Sequence, residues 1–138
     1  MAISDMYRKQ HKEILAVGAK LAALLDEKAL VADAVPARHT LSELSGKVKV
    51  HLAMEDKSLY PQLAASKKPG TSTVATQFKQ SMGGLVDVFL AFDKKYALPK
   101  SIASAPADFI RETKTVMAAL GERIKKEEGE LYTLLDRE

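Results

Sequence analysis

Apolar residues recur along this chain in alternating steps of three and four, the spacing that lines one face of an α-helix. Four such stretches follow one another. The first reads Tyr7, His11, Ile14, Gly18, Leu21, Leu25. Ser4 suits its N-cap, and Asp5 in the first turn complements the macrodipole. This helix is expected to fade near Val31–Val35, ahead of Pro36. The second runs from about Ala37 to about Ala65 with the seam Leu41, Leu44, Val48, His51, Glu55, Leu59. Pro61 removes one backbone donor and is expected to bend or loosen it just past Tyr60. Lys67, Lys68, Pro69 and Gly70 signal a turn. The third stretch starts at Thr71 or Ser72, carries Val74, Phe78, Ser81, Leu85, Val88 and Phe92 on its seam, and ends by Leu98 and Pro99. Gly83 and Gly84 inside it each cost about 1 kcal/mol of helix propensity, for which close approach of a neighbouring helix is the expected return. A loop through Ser101–Ala105, with Ser104 as cap and Pro106 in the first turn, leads into the fourth. Its seam is Ile110, Thr113, Met117, Leu120, Ile124, Glu127, Leu131, Leu134. Nothing alternates with a period of two. Residues 1–138 are therefore expected to form one all-α domain, an antiparallel up-down-up-down four-helix bundle.

All four seams carry polar residues where apolar ones belong: His11, then His51 and Glu55, then Ser81, then Thr113 and Glu127. His51 and Glu55 lie one turn apart on the buried stripe of the second helix. A carboxylate in an apolar interior needs a partner. A metal ion is one such partner, since an i, i+4 His/Glu pair can reach a single ion. The spacing alone is weak, because HxxxE also describes a solvated pair or a salt bridge at a helix end. His39, about 120° around the helix from His51, belongs to the surface. Tyr60 and Tyr132 are expected to pack with their tips toward water, and Tyr7 to fill space at the bundle end. Phe78, Phe89 and Phe92 read as core.

Composition narrows the chemistry. Cysteine is absent from the 138 residues, which excludes disulfides, iron–sulfur clusters, thiolate metal sites and thiol catalysis. Any metal must be held by nitrogen and oxygen. Twenty-one Lys and Arg against 18 Asp and Glu leave a net charge of +3, scattered along all helices rather than gathered into a stripe for nucleic acid. No stretch approaches the roughly 20 apolar residues of a membrane span, and the start lacks a signal-peptide run. A cytoplasmic protein is the expectation. No Ser/His/Asp set, phosphate loop or Rossmann fingerprint points to an enzyme acting on an organic substrate.

An internal repeat carries the remaining information. Glu55, Asp56, Leu59, Tyr60 and Leu63 reappear as Glu127, Glu128, Leu131, Tyr132 and Leu135, at an offset of 72 residues. Under that offset His51 corresponds to Arg123. Lys9-Gln10-His11 is echoed by Lys79-Gln80-Ser81. Each half is a helix pair, and a bundle of two such hairpins is expected to bring His11, His51, Glu55, Ser81, Arg123 and Glu127 together at mid-core.

A histidine in helix 1, HxxxE in helix 2 followed by Leu59-Tyr60-Pro61, and a weaker copy in helices 3 and 4 together resemble the hemerythrin-like (HHE cation-binding) domains. The resemblance covers nearly the whole chain. It implies a non-haem iron site in which carboxylates bridge two irons and an open position takes dioxygen or a relative such as nitric oxide. His11, His51, Glu55 and Glu127 match its metal-ligand positions. Ser81 and Arg123 depart from it, so that one iron rather than two is expected. Two imidazoles and a carboxylate are indeed a ligand set for mononuclear iron(II), although other first-row divalent ions suit the same donors. Two readings of function follow. One is an iron-binding protein that binds or senses a diatomic ligand or handles iron. The other is a metal-free helical interaction or regulatory module whose core holds a salt-bridge cluster of Arg123, a protonated histidine, Glu55 and Glu127. Arg123 either pairs with those glutamates or snorkels to the surface.

Overall fold

The computed structural model describes residues 3–82 and 84–137. Among these the regular elements are all helical: α1 (Asp5–Ala22), α2 (Glu27–Ala32), α3 (Val35–Met54), α4 (Tyr60–Ala64), α5 (Thr71–Met82), α6 (Leu85–Lys95), α7 (Pro99–Ala103), α8 (Pro106–Lys126) and α9 (Tyr132–Asp136), with π-helical turns at Glu55–Leu59 and Glu127–Leu131. The all-α bundle is as the periodicity foretold, but the expected helices are interrupted. The first stops at Ala22, because Asp26 caps a separate short helix by accepting a hydrogen bond from the Ala29 amide at 2.9 Å. The expected loop at Ser101–Ala105 is largely the short helix α7, and Ala105 rather than Ser104 precedes α8, with Pro106 in its first turn as expected. Ser4 does precede α1, but its hydroxyl does not cap it; it donates to Asp136 Oδ2 at 2.7 Å and so ties the start of α1 to the far end of α9.

The third helix divides near the glycine pair. Gly83 lies outside the described residues. Gly84 has open space where a Cβ would stand, so the expected close approach is not found there. It occurs at Gly18, where an added Cβ would lie 2.5 Å from Met117 Cε. Phe89 and Phe92 are buried, as expected of core residues, but Val88 of the expected seam is exposed, because Phe89 one residue on takes the inward place.

Pairs in contact run in opposite order along neighbouring elements. From α1 to α3 they are His11 with His51, Glu13 with Lys47, and Lys20 with Glu43. From α1 to α8 and α9 they are Ser4 with Asp136, His11 with Glu127, and Gly18 with Met117. Apolar burial falls into two clusters. One contains Leu21, Leu41, Leu44, Phe89, Phe92 and Phe109; the other Tyr7, Leu59, Tyr60, Phe78, Leu131 and Tyr132. Along α1, α3, α8 and the two π turns the residues dividing the clusters are His11, His51, Glu55, Arg123 and Glu127, all buried. Among the described residues, no helix is long and apolar enough to cross a membrane.

Candidate metal centre

Three segments deliver this layer. His11 comes from the middle of α1, His51 from the last turn of α3, and Glu55 from the first position of the π turn that follows. Arg123 and Glu127 occupy the matching places in α8 and the second π turn. All five side chains are at most 4% exposed, so each polar atom must find its partner within the cluster. Four of them, His11, His51, Glu55 and Glu127, bring one ligand atom each to within 4.8 Å of one another.

The atoms meet at one point. His11 Nε2 is 2.9 Å from His51 Nε2 and 3.0 Å from Glu127 Oε1. His51 Nε2 is 3.3 Å from Glu55 Oε2 and 3.6 Å from Glu127 Oε1. Ligands held at roughly 2.0–2.2 Å from a first-row cation stand about 3 Å or a little more from each other, and the spacings here are of that size. The donor set of two imidazoles and two carboxylates, with no thiolate, suits such an ion. By both tests the residues fit a metal.

Behind the ligand atoms sits a supporting layer. His51 Nδ1 lies 2.7 Å from Gln10 Oε1, whose amide nitrogen in turn donates to Met54 Sδ at 3.0 Å. With the Gln10 oxygen as acceptor, Nδ1 carries the proton and Nε2 is left to face the centre, the way ligating histidines are held. Gln10 was missed in the sequence, although it stands beside His11 and is repeated as Gln80. On His11 the buried Nδ1 makes no hydrogen bond, and the nearest charge is Glu128 Oε2 at 3.6 Å.

Tyr60 and Tyr132 overturn the expectation that their tips face water. Both are buried, and both hydroxyls enter the cluster. Tyr132 donates to Glu55 Oε2 at 2.9 Å and lies 2.9 Å from His11 Nε2. The Tyr60 oxygen accepts from Arg123 Nη2 at 3.3 Å. Five residues after a glutamate, an ordinary helix would place each tyrosine about 140° away. In the π turns the Tyr60 amide bonds to the Glu55 carbonyl and the Tyr132 amide to the Glu127 carbonyl, an i→i+5 link that widens the turn and brings carboxylate and phenol to the same side. The glutamate-to-tyrosine spacing, present twice, was the available signal. Tyr7 fills space as expected, its ring 5.6 Å from that of Tyr132 and 6.2 Å from that of His51. His39 is exposed, as its helical angle required.

Arg123 pairs rather than snorkels. Its Nη2 donates to Glu55 Oε1 at 3.2 Å and its Nε to Glu127 Oε2 at 3.3 Å. Ser81, by contrast, is exposed, with its hydroxyl bonded back to the Phe78 carbonyl at 3.1 Å. The expectation that six equivalent positions converge is therefore corrected to five. A cavity of about 240 Å³, lined by Leu52, Asp56, Tyr60, Lys79, Val86 and Arg123, reaches the guanidinium side of the cluster.

Crowding sets the protonation of the metal-free cluster. Burial drives Glu55 up to about 7, helped by the neighbouring Glu127 charge and opposed by His51. Burial also disfavours ionisation of Glu127. Hydrogen bonds with His11 and His51 and the charge on Arg123 outweigh it and hold the carboxyl well below the usual range. For His51, burial acts downward, but its bonds to Glu127 and Glu55 win and raise it to about 9. The two carboxylates thus take different roles, one sharing protons and one anionic.

An all-helical bundle whose buried centre gathers two histidines and two glutamates around one point has a non-thiolate donor set that could hold a cation. The family model for the hemerythrin HHE cation binding domain matches residues 2–135, and the chain belongs to that family. No curated protein and no solved structure matched it.

Proposed function

We propose that this protein binds iron through His11, His51, Glu55 and Glu127 and uses it to bind or sense a diatomic ligand, dioxygen or nitric oxide. One observation carries the reading: two imidazole nitrogens and two carboxylate oxygens from three separate segments, all buried, lie within 4.8 Å of one another. Iron held there would supply a coordination position for the diatomic ligand. The chain's own residues do the rest. Gln10 orients His51 so that Nε2 points inward. The Tyr132 hydroxyl donates its proton to Glu55 Oε2 and so fixes that carboxylate. Burial excludes bulk water, so these polar contacts act in a weakly screening interior. Protein produced in iron-rich medium is expected to carry metal by elemental analysis and to show a visible absorption that changes with nitric oxide. His51→Ala is expected to lose the metal, and full occupancy in that variant would refute the ligand assignment.

A second reading has its own support. Arg123 and a protonated His51 balance Glu55 and Glu127 without any ion, which suits a metal-free helical module acting through its surface. A colourless protein whose urea midpoint ignores chelators would select it.

A further inference from the structure

The two glutamates divide their oxygens in the same way. Glu55 turns Oε2 toward His51 and Tyr132, and Oε1 toward Arg123. Glu127 turns Oε1 toward His11 and His51, and Oε2 toward Arg123. Each carboxylate therefore spans two seats. One is bounded by the imidazoles. The other is filled by a guanidinium that is 4% exposed and also donates to Tyr60.

Resting on the metal-site reading above, the geometry points to Arg123 as the resident cation of the second seat, limiting the centre to one metal ion per chain. A guanidinium cannot be deprotonated in a protein, so its charge there is permanent. It satisfies the outer oxygens of both glutamates, which a second ion would otherwise need as ligands. It also repels any further cation at close range in a buried layer, where charges are poorly screened. Histidine at the equivalent position of the first half, His51, offers a lone pair; arginine offers none. The helix that carries Ser81 adds no substitute ligand, since that side chain is exposed and bonded to its own helix. The same charge has a second consequence. It sits on the oxygens' far side and weakens the hold of both carboxylates on the first ion.

Anaerobic titration of the full chain with Fe(II) and, separately, with Zn(II) tests this, with stoichiometry from elemental analysis. The wild type is expected to saturate at about one ion per chain and Arg123→His at about two. Arg123→Met, which keeps the bulk and removes the charge, is expected to bind its single ion about tenfold more tightly or better, as relief of a close repulsion predicts. A wild type that saturates at two overturns the inference. So does Arg123→Met binding the first ion no more tightly than the wild type while circular dichroism shows it folded. Should Arg123→His not fold, the Arg123→Met affinity decides. A folded wild type that binds neither ion overturns the metal-site reading itself, and this inference with it.

Discussion

At position 51 a histidine sends Nε2 toward two glutamates; at the equivalent position 123 an arginine sends its guanidinium to the opposite oxygens of the same two. The two halves share the Glu-to-Tyr segment, the π turn built on it and the burial of both. They differ in what faces the carboxylates. In the first half the partners are lone-pair donors that can lose a proton to make room for a metal. In the second the partner is a charge that cannot be removed. A repeat can therefore keep its backbone device intact while one residue changes a ligand into a counter-ion. Position 81 makes the same point by loss. Where the first half has buried His11, the second has an exposed serine next to a broken helix.

The comparison can be broken from the second half first. Arg123→Ala leaves two buried glutamates without their shared cation. The metal-free protein is expected to lose roughly 3–5 kcal/mol in urea denaturation, and a loss under about 1 kcal/mol would refute the pairing as a structural element. In the first half, His11→Ala is expected to weaken Fe(II) or Zn(II) binding by more than about 100-fold, beyond what supporting residues give. Binding within tenfold of the wild type would remove His11 from the site.

The tyrosines give a finer contrast. Tyr132→Phe strips a partner from both Glu55 Oε2 and His11 Nε2 and is expected to cost about 1–3 kcal/mol. Tyr60→Phe removes one acceptor of Arg123 and is expected to cost about 0.5–1.5 kcal/mol. Equal costs would mean that the π turns, rather than the hydroxyl partners, set the values.

Titration separates the halves without mutation. His51 raised to about 9 and Glu55 raised to about 7 keep protons in the folded metal-free chain that the unfolded chain has released. The His51 contribution is complete below the ordinary imidazole pKa of roughly 6.5 and lost as pH rises through about 9. That of Glu55 is complete below the usual carboxylate range and lost through about 7. Glu127, held low, stays ionised throughout, as does Arg123. Metal-free stability is thus expected to fall from pH 6 to pH 9, and a urea midpoint that rises over this interval would contradict it. Smallest of all, Ser81→Ala is expected to change stability by no more than about 0.5 kcal/mol and metal affinity not at all.

Much of this was legible before any coordinates. Seams of Leu41, Leu44, Val48, His51 and Glu55 identify a helix whose stripe turns polar, and a buried stripe forces those polar groups to meet partners. The repeat told which residues correspond. Breaks at Ala22 and Met82 were less legible, because periodicity reports a face and not the cap or gap that ends it. The inward turn of Tyr60 and Tyr132 does not follow from a spacing of 3.6 residues per turn, because each π turn adds a residue to the turn that carries the tyrosine.

The sequence by itself determined the helical class, the buried face of the first two helices, and the identity of the donors, since these depend on local spacing and on what each side chain can ligate. Tertiary structure alone decided that Arg123 and not Ser81 joins the histidines. It also decided that each glutamate splits its oxygens between two cationic seats. Those outcomes depend on register between helices far apart in the chain, and register is set where whole faces pack together rather than by any one segment.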